Sequence, residues 1–112
     1  MDNSKFGVCP LFTFQKVVSG KWMLPILRRL ERSGSLRFGE LLHCFPEITK
    51  ATLTKQLRKL EEIGFLRREE SEGYPRSVEY SLSELGREFL GAFDQVENWC
   101  EIYLADKAAR NA

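Results

Sequence analysis

Apolar residues recur every three or four positions between Thr49 and Gly64, and this spacing predicts a helix of about four turns. Leu53, Leu57 and Leu60 fall on one face of it. Thr49 is expected to cap the start, because its hydroxyl can accept from a free first-turn N–H. Gly64 is expected to end it, because glycine takes the left-handed cap conformation without a Cβ penalty. The opposite face is cationic and hydroxylated, with Lys55, Arg58, Lys59, Thr52 and Thr54.

A shorter helix is predicted just before this one, from Phe38 to Phe45, and Pro46-Glu47 supplies the turn between them. A short helix, a tight turn and a longer basic helix form a helix-turn-helix, here over residues 38–64. The second helix of such a unit enters the DNA major groove, where short polar and cationic side chains reach base edges and phosphates. Taken alone, that helix also fits an ordinary amphipathic surface helix with solvated lysines.

A β-hairpin is predicted over residues 65–82. Its first strand begins at Phe65, and its second, Val78-Glu79-Tyr80-Ser81-Leu82, alternates apolar and polar residues. The intervening Glu72-Gly73-Tyr74-Pro75 is rich in turn residues. A hairpin directly after a helix-turn-helix forms a wing, and we expect Arg76, near its tip, to reach phosphate or the minor groove. A very short strand is also possible at residues 35–37.

Helices are predicted at both ends of the chain. The first covers residues 8–19, with Pro10 at its first helical position. A helix from Lys21 to Arg32 follows, and Pro25 interrupts its pattern or marks its true start. The last helix covers residues 83–106 and is capped by Ser83.

The last helix carries an apolar stripe that extends past the compact domain, where a single subunit has little left to cover it. We therefore expect a homodimer interface on the terminal helices. The alternative is that the stripe folds back on the first helix of its own domain. The expected interface residues are Phe12, Phe89, Phe93, Val96, Trp99 and Tyr103.

Length and composition indicate one domain over residues 1–112, mainly α with a small β-hairpin. Net charge is only +1, but residues 1–82 hold 14 Lys and Arg against 10 Asp and Glu, whereas residues 83–112 hold three against six. Only the first part therefore suits phosphate. No apolar run approaches the roughly 20 residues of a membrane span, and no signal-peptide pattern opens the chain. A cytoplasmic protein without membrane contact is expected.

Candidate catalytic chemistry is sparse. The three cysteines are widely spaced and no CxxC is present, which argues against a disulfide framework and a zinc site. A catalytic centre would need the lone His43, and nothing near it in the sequence supports one. We expect no enzyme, no metal and no cofactor. A thiol-dependent enzyme is a rival interpretation, but it would need a base or a resolving cysteine beside Cys9, and the sequence supplies none nearby.

Several segments, in this order and spacing, resemble the HxlR family of bacterial winged helix-turn-helix regulators, a MarR-like group. The resemblance extends from Cys9 to about Trp99. The segments that carry it are Cys9-Pro10, Gly20-Lys21-Trp22, Arg37-Phe38-Gly39-Glu40-Leu41, Leu53-Thr54, Leu57-Arg58, Leu60-Glu61, Gly64-Phe65 and Val78-Glu79-Tyr80-Ser81-Leu82-Ser83, with Gly86.

The resemblance implies a dimeric transcription regulator that reads a palindromic operator in double-stranded DNA through helix 49–63 and wing 65–82. Ala51 would also face the groove, at a position where a longer polar side chain is common. The wing departs from the usual Pro-Pro-Arg/Lys-Val, since it reads Pro75-Arg76-Ser77-Val78. The expected DNA-binding residues are Arg37, Lys50, Thr52, Thr54, Lys55, Arg58 and Arg76.

Cys9 is a candidate redox sensor. A helix N-terminus stabilises thiolate, so we expect a lowered pKa and raised reactivity there. A subset of the resembled family senses electrophiles or oxidants at this position. The alternative is a packed or capping cysteine. Two further interpretations stay open: a winged-helix protein-interaction module without DNA, and a small-molecule effector pocket at the dimer seam lined by Phe89, Phe93 and Trp99.

Overall fold

The computed structural model describes residues 10–18 and 20–112. Within them the chain is mainly α with one small antiparallel sheet, the architecture of a winged helix. The elements in chain order are α1 Pro10–Val17, α2 Met23–Ser33, β1 Ser35–Arg37, α3 Phe38–Cys44, α4 Lys50–Ile63, β2 Leu66–Glu70, β3 Val78–Leu82, α5 Glu84–Gly91 and α6 Asp94–Arg110.

The boundaries of α4 follow from its capping residues, as the sequence predicts. The Thr49 hydroxyl accepts from the N–H of Thr52 at 3.1 Å, so one free donor of the first turn is satisfied. Gly64 adopts φ 93°, and its N–H donates to the carbonyl of Leu60 at 3.2 Å. The three predicted core leucines of α4 are all fully buried. The apolar face of α4 is thus fixed in the core and its cationic face is turned outward.

The core is built around α2, whose Met23, Ile26, Leu27 and Leu30 are all buried. α2 begins at Met23, close to Pro25 as one predicted arrangement had it, and Pro25 occupies its third position rather than its first. The first intrahelical bond of α2 runs from the N–H of Ile26 to the carbonyl of Trp22 at 3.1 Å. Pro25 is tolerated because an N–H in this first turn would have no intrahelical partner.

The sheet has the strand order β1-β3-β2, and both pairings are antiparallel. Ser35 of β1 lies opposite Ser81 of β3, and Leu66 of β2 lies opposite Leu82. The short strand at residues 35–37 is therefore real and joins the hairpin as a third strand. Because β3 is central, it holds the strand before the helix-turn-helix and the strand after it.

The single helix predicted over residues 83–106 is two helices, α5 and α6. They are separated by a turn at Ala92 and Phe93, in which the N–H of Phe93 donates to the carbonyl of Leu90 at 2.9 Å. Phe93 is only 7% exposed. Its ring centroid lies 5.7 Å from that of Phe14 and 5.0 Å from that of Phe89. Tertiary packing of this ring accompanies the break, which the unbroken apolar spacing concealed. The described part of the predicted 8–19 helix is α1; residues 8, 9 and 19 lie outside the described residues.

Candidate nucleic-acid interface

The outward face of α4 forms an open, cationic surface. Lys50, Lys55 and Arg58 are exposed, while Thr52 and Thr54 are half-buried beside them. A shallow depression of about 560 Å³ lies on this surface. Its lining residues are Ala51, Thr54, Lys55, Arg58, Lys59 and Glu62. The second helix of the helix-turn-helix therefore presents short side chains between Lys50 at its start and the long cationic ones beyond, an arrangement that suits a major groove.

The two threonines differ in what they can offer a base. The Thr54 hydroxyl donates to the carbonyl of Lys50 at 2.8 Å, so its proton is used within the helix. The Thr52 hydroxyl accepts from the Thr49 hydroxyl at 2.9 Å. Its own proton therefore remains able to donate, whereas Thr54 offers acceptor lone pairs and a methyl group. A methyl group suits contact with thymine.

Five of the seven predicted DNA-binding residues lie on α4; the other two are Arg37, at the end of β1, and Arg76, between β2 and β3. Arg37 immediately precedes α3, and its backbone N–H donates to the Glu40 carboxylate at 2.8 Å. Its Cα partner in the sheet is Glu79, so an acidic residue stands beside this candidate phosphate ligand. Arg76 is exposed in the segment that joins β2 to β3.

Arg68 of β2 is a basic residue of this region that the sequence analysis did not single out. It lines a cleft of about 400 Å³ between α4 and the sheet, together with Thr54, Arg58 and Tyr80. A hydrogen bond to Glu70 and a second to Tyr80 outweigh desolvation and raise the pKa of the Arg68 guanidinium. Strand alternation could have indicated this position, because Arg68 lies two residues beyond the buried Leu66 and so on the same face of β2.

The residues expected at a dimer interface divide into two groups. Phe89 and Phe93 pack within the chain. The ring centroids of Phe89 and Phe65 are 4.5 Å apart, and the rings of Phe89 and Phe93 both pack against that of Phe14. For these two rings, the structure agrees with the alternative in which the apolar stripe folds back on the first helix of its own domain. The remaining four stay largely exposed and keep the surface that a partner would need: Phe12 at 63%, Val96 at 41%, Trp99 at 58% and Tyr103 at 42%.

An apolar groove of about 440 Å³ lies between α1, the end of α4 and α5. It is lined by Phe89, but Phe93 and Trp99, the other two residues of the expected effector pocket, are absent from its lining. Phe14, Phe65 and Leu85 line it instead. The expected effector pocket therefore does not coincide with this groove.

Among the described cysteines, Cys44 is half-buried and Cys100 is exposed. Cys9 lies outside the described residues. Across residues 10–18 and 20–112, no three His, Cys, Asp or Glu side chains are grouped so as to hold a metal ion. In that same part of the chain, no helix is both long and apolar enough to span a membrane.

Comparison with known proteins agrees with this architecture. The model of the HxlR-like helix-turn-helix family matches residues 17–108. The HTH-type transcriptional regulator YdeP of Bacillus subtilis (strain 168) is 37% identical, over 92% of this chain and 87% of that protein.

Two solved structures are also similar. A transcriptional regulator of the MarR family from Enterococcus faecalis V583 superposes with a TM-score of 0.80 at 29% identity, covering 92% of this chain and 96% of its own. The redox regulator HypR in its reduced form gives a TM-score of 0.75 at 36% identity, covering 83% and 91%. On the family match and the shared fold, this chain belongs to the HxlR-like helix-turn-helix family and is a winged-helix transcriptional regulator.

Proposed function

We propose that the protein acts as a homodimer that binds a palindromic DNA operator through α4 and the wing. The observation that carries the proposal is the division of α4 into two faces. Its leucine face is fully buried, while Lys50, Lys55 and Arg58 project from the opposite side of the second helix of a helix-turn-helix. Among residues 10–18 and 20–112 this face stays open to solvent, as base readout in a groove requires.

The cationic residues divide by role. Arg58 is the candidate for a bidentate contact with guanine, and Lys50 and Thr52 are candidates for neighbouring base edges. Lys55, Arg37 and Arg76 neutralise phosphate, which sets affinity and salt dependence without reading sequence. The protein-interaction alternative does not account for a cationic face organised along one helix.

The dimer is supported by the exposed apolar surface of the terminal helices. On α6, the rings of Trp99 and Tyr103 stack with their centroids 5.2 Å apart. Ile102 and Leu104 on the same helix are about 60% exposed. A second copy would cover this surface and set two α4 helices on a two-fold axis. Half-sites read by such a pair lie about 34–36 Å apart.

Fluorescence anisotropy with a generic DNA duplex across a salt series tests DNA binding. We expect log affinity to fall linearly and steeply with log salt concentration, because several phosphates release counterions. Undetectable binding even at low salt would reject the proposal and favour the protein-interaction alternative. Selection from a random duplex library then tests the operator, and enriched inverted repeats are the expected result.

A redox response through Cys9 is a second proposal, supported by the likeness to HypR, which is described as a redox regulator and has been solved in reduced and oxidised forms. Diamide is expected to change the DNA affinity of the wild type but not of Cys9→Ser. Because Cys100 is exposed, Cys100→Ser and Cys44→Ser serve as matched controls that should keep the response. A response that survives Cys9→Ser would rule out Cys9 as the sensor.

A further inference from the structure

The two faces of the wing differ in what they present to α4. In the β2–β3 register, Leu66 lies opposite Leu82, and both are buried against the core. Side chains alternate along a strand, so Arg68, Glu70 and Tyr80 continue that inner face beyond the core. Arg67 and Glu69 belong to the outer face. Of the two adjacent arginines, it is therefore Arg68 that faces the side of the helix-turn-helix.

The inner face of the wing meets the candidate DNA surface at one cleft. Thr54 and Arg58 line the open surface of α4 and also line the cleft that contains Arg68. A helix lying in the major groove is flanked by the phosphate backbone, and a wing approaches that backbone from the side. Arg68 thus stands where a phosphate beside the bases contacted by Arg58 would pass.

The Arg68 guanidinium is already occupied by a carboxylate. Its Nη1 lies 2.6 Å from Oε1 of Glu70, two residues further along the strand, and both side chains remain partly exposed, at 40% and 51%. A carboxylate and a phosphate use the same planar donor fork of arginine. Glu70 therefore takes one of the donors that a phosphate oxygen would use, and its charge also repels an approaching phosphate.

We propose that Arg68 is a phosphate-binding residue of the DNA site and that Glu70 masks it, so that DNA must compete with this carboxylate for the guanidinium. This inference rests on the proposed function. The mask weakens binding to any duplex equally, because a phosphate contact carries no sequence information. A complex that seats α4 in the groove brings a phosphate close enough to compete with Glu70. The pair thereby lowers the affinity for DNA of any sequence.

The test is the salt series with generic duplex, applied to Glu70→Gln, Glu69→Gln and Arg68→Gln. Glu70→Gln is expected to bind about two- to fivefold tighter at low salt, the range that an exposed ion pair is worth. Glu69→Gln removes the same charge from the outer face, where it pairs in register with Glu79, and a clearly smaller gain is expected. Arg68→Gln should reduce the salt slope by about 0.9 for each protomer engaged.

The double variant Arg68→Gln/Glu70→Gln decides whether the two residues act together. With Arg68 absent, Glu70→Gln should add no more than Glu69→Gln does. Equal gains for Glu69→Gln and Glu70→Gln, or a Glu70→Gln gain that persists without Arg68, would overturn the inference while leaving DNA binding intact. A wild type that binds no duplex would overturn the proposed function as well, so the two failures are distinguishable. Unchanged thermal midpoints confirm that the variants are folded.

Discussion

The Arg28 guanidinium on α2 lies 2.8 Å from the carboxylate of Glu97 on α6, and this ion pair connects the core to the last helix. Asp94, at the first position of α6, and Glu31 each lie 3.1 Å from the same guanidinium. Burial lowers the pKa of Arg28, but the hydrogen bonds to Asp94 and Glu31 and the charge of Glu97 outweigh it, so the pKa is raised. The cation is thus retained at every physiological pH.

Replacing Arg28 should loosen the attachment of α6. Arg28→Met keeps the aliphatic stem and removes the charge, and it is expected to cost up to about 1 kcal/mol of unfolding free energy, because the partner carboxylates are largely exposed. Urea unfolding at low and high salt measures this, and the loss should shrink at high salt. Arg110→Met, which removes an ion pair inside α6 alone, is the control with a smaller expected effect. Equal losses would show that Arg28 does not link the two helices.

Removal of the α4 cap should destabilise the fold. Thr49→Ala leaves the N–H of Thr52 without its hydroxyl partner and is expected to cost about 1 kcal/mol. Thr54→Ala removes a hydroxyl that bonds back to the carbonyl of Lys50 within the helix, and its effect should stay within about 0.5 kcal/mol. Thermal unfolding of the two variants provides the comparison. Equal losses would contradict the capping role.

Gly86 of α5 is required by a close backbone contact. A Cβ at this position would fall on the carbonyl oxygen of Phe65, which is held by the N–H of Ser83 at 3.0 Å. Gly86→Ala is therefore expected to lose about 1–3 kcal/mol. Gly91, the last residue of the same helix, has open space around its Cβ position, so Gly91→Ala should be neutral or gain up to about 1 kcal/mol. Denaturant midpoints distinguish the two outcomes.

Arg58 is expected to contribute to operator binding rather than to stability. Arg58→Ala should weaken operator affinity by about 1–3 kcal/mol and relax the preference at one base pair. Arg110→Ala removes an equal charge near the end of α6, and operator affinity should hardly change. Anisotropy with operator and scrambled duplexes gives both quantities. Unchanged discrimination in Arg58→Ala would leave Arg58 as a phosphate contact at most.

Trp99 should be essential to the dimer. An aromatic residue at the centre of an interface is worth about 2 kcal/mol or more, so Trp99→Ala should weaken self-association by about 30-fold or more. Tyr74, which is 99% exposed at the tip of the wing, provides an aromatic control, since Tyr74→Ala should leave the dimer unchanged. Sedimentation velocity across a concentration series measures the dissociation constant. A monomeric wild type would refute the dimer itself.

Features set by local chemistry could be predicted from the sequence. The N-cap at Thr49, the stop at Gly64 and the buried leucine face of α4 each depend on side chains within one helix, and all three are found in the structure. The cationic face is predictable for the same reason, because helical geometry fixes which residues oppose the leucines.

Features set by tertiary packing could not be predicted in this way. Phe93 keeps the three-to-four spacing of a continuous helix, yet its ring is buried against Phe14, a contact between residues 79 positions apart in the chain. The role of Arg68 likewise depends on the register between β2 and β3, which decides whether it or Arg67 faces α4. Alternation alone places Arg68 on the same face as Leu66, but the sequence does not show that this face lies against α4.

The central position of β3 has a mechanical consequence for signalling. Both chain ends of the helix-turn-helix are fastened to this one strand, through β1 on one side and β2 on the other. The helix-turn-helix is therefore attached to the sheet at both ends. A displacement of either end is shared by the whole unit and does not bend α4 alone. In the proposed dimer, an inducer would therefore shift each helix-turn-helix as a unit and change the distance between the two, while leaving the shape of each intact.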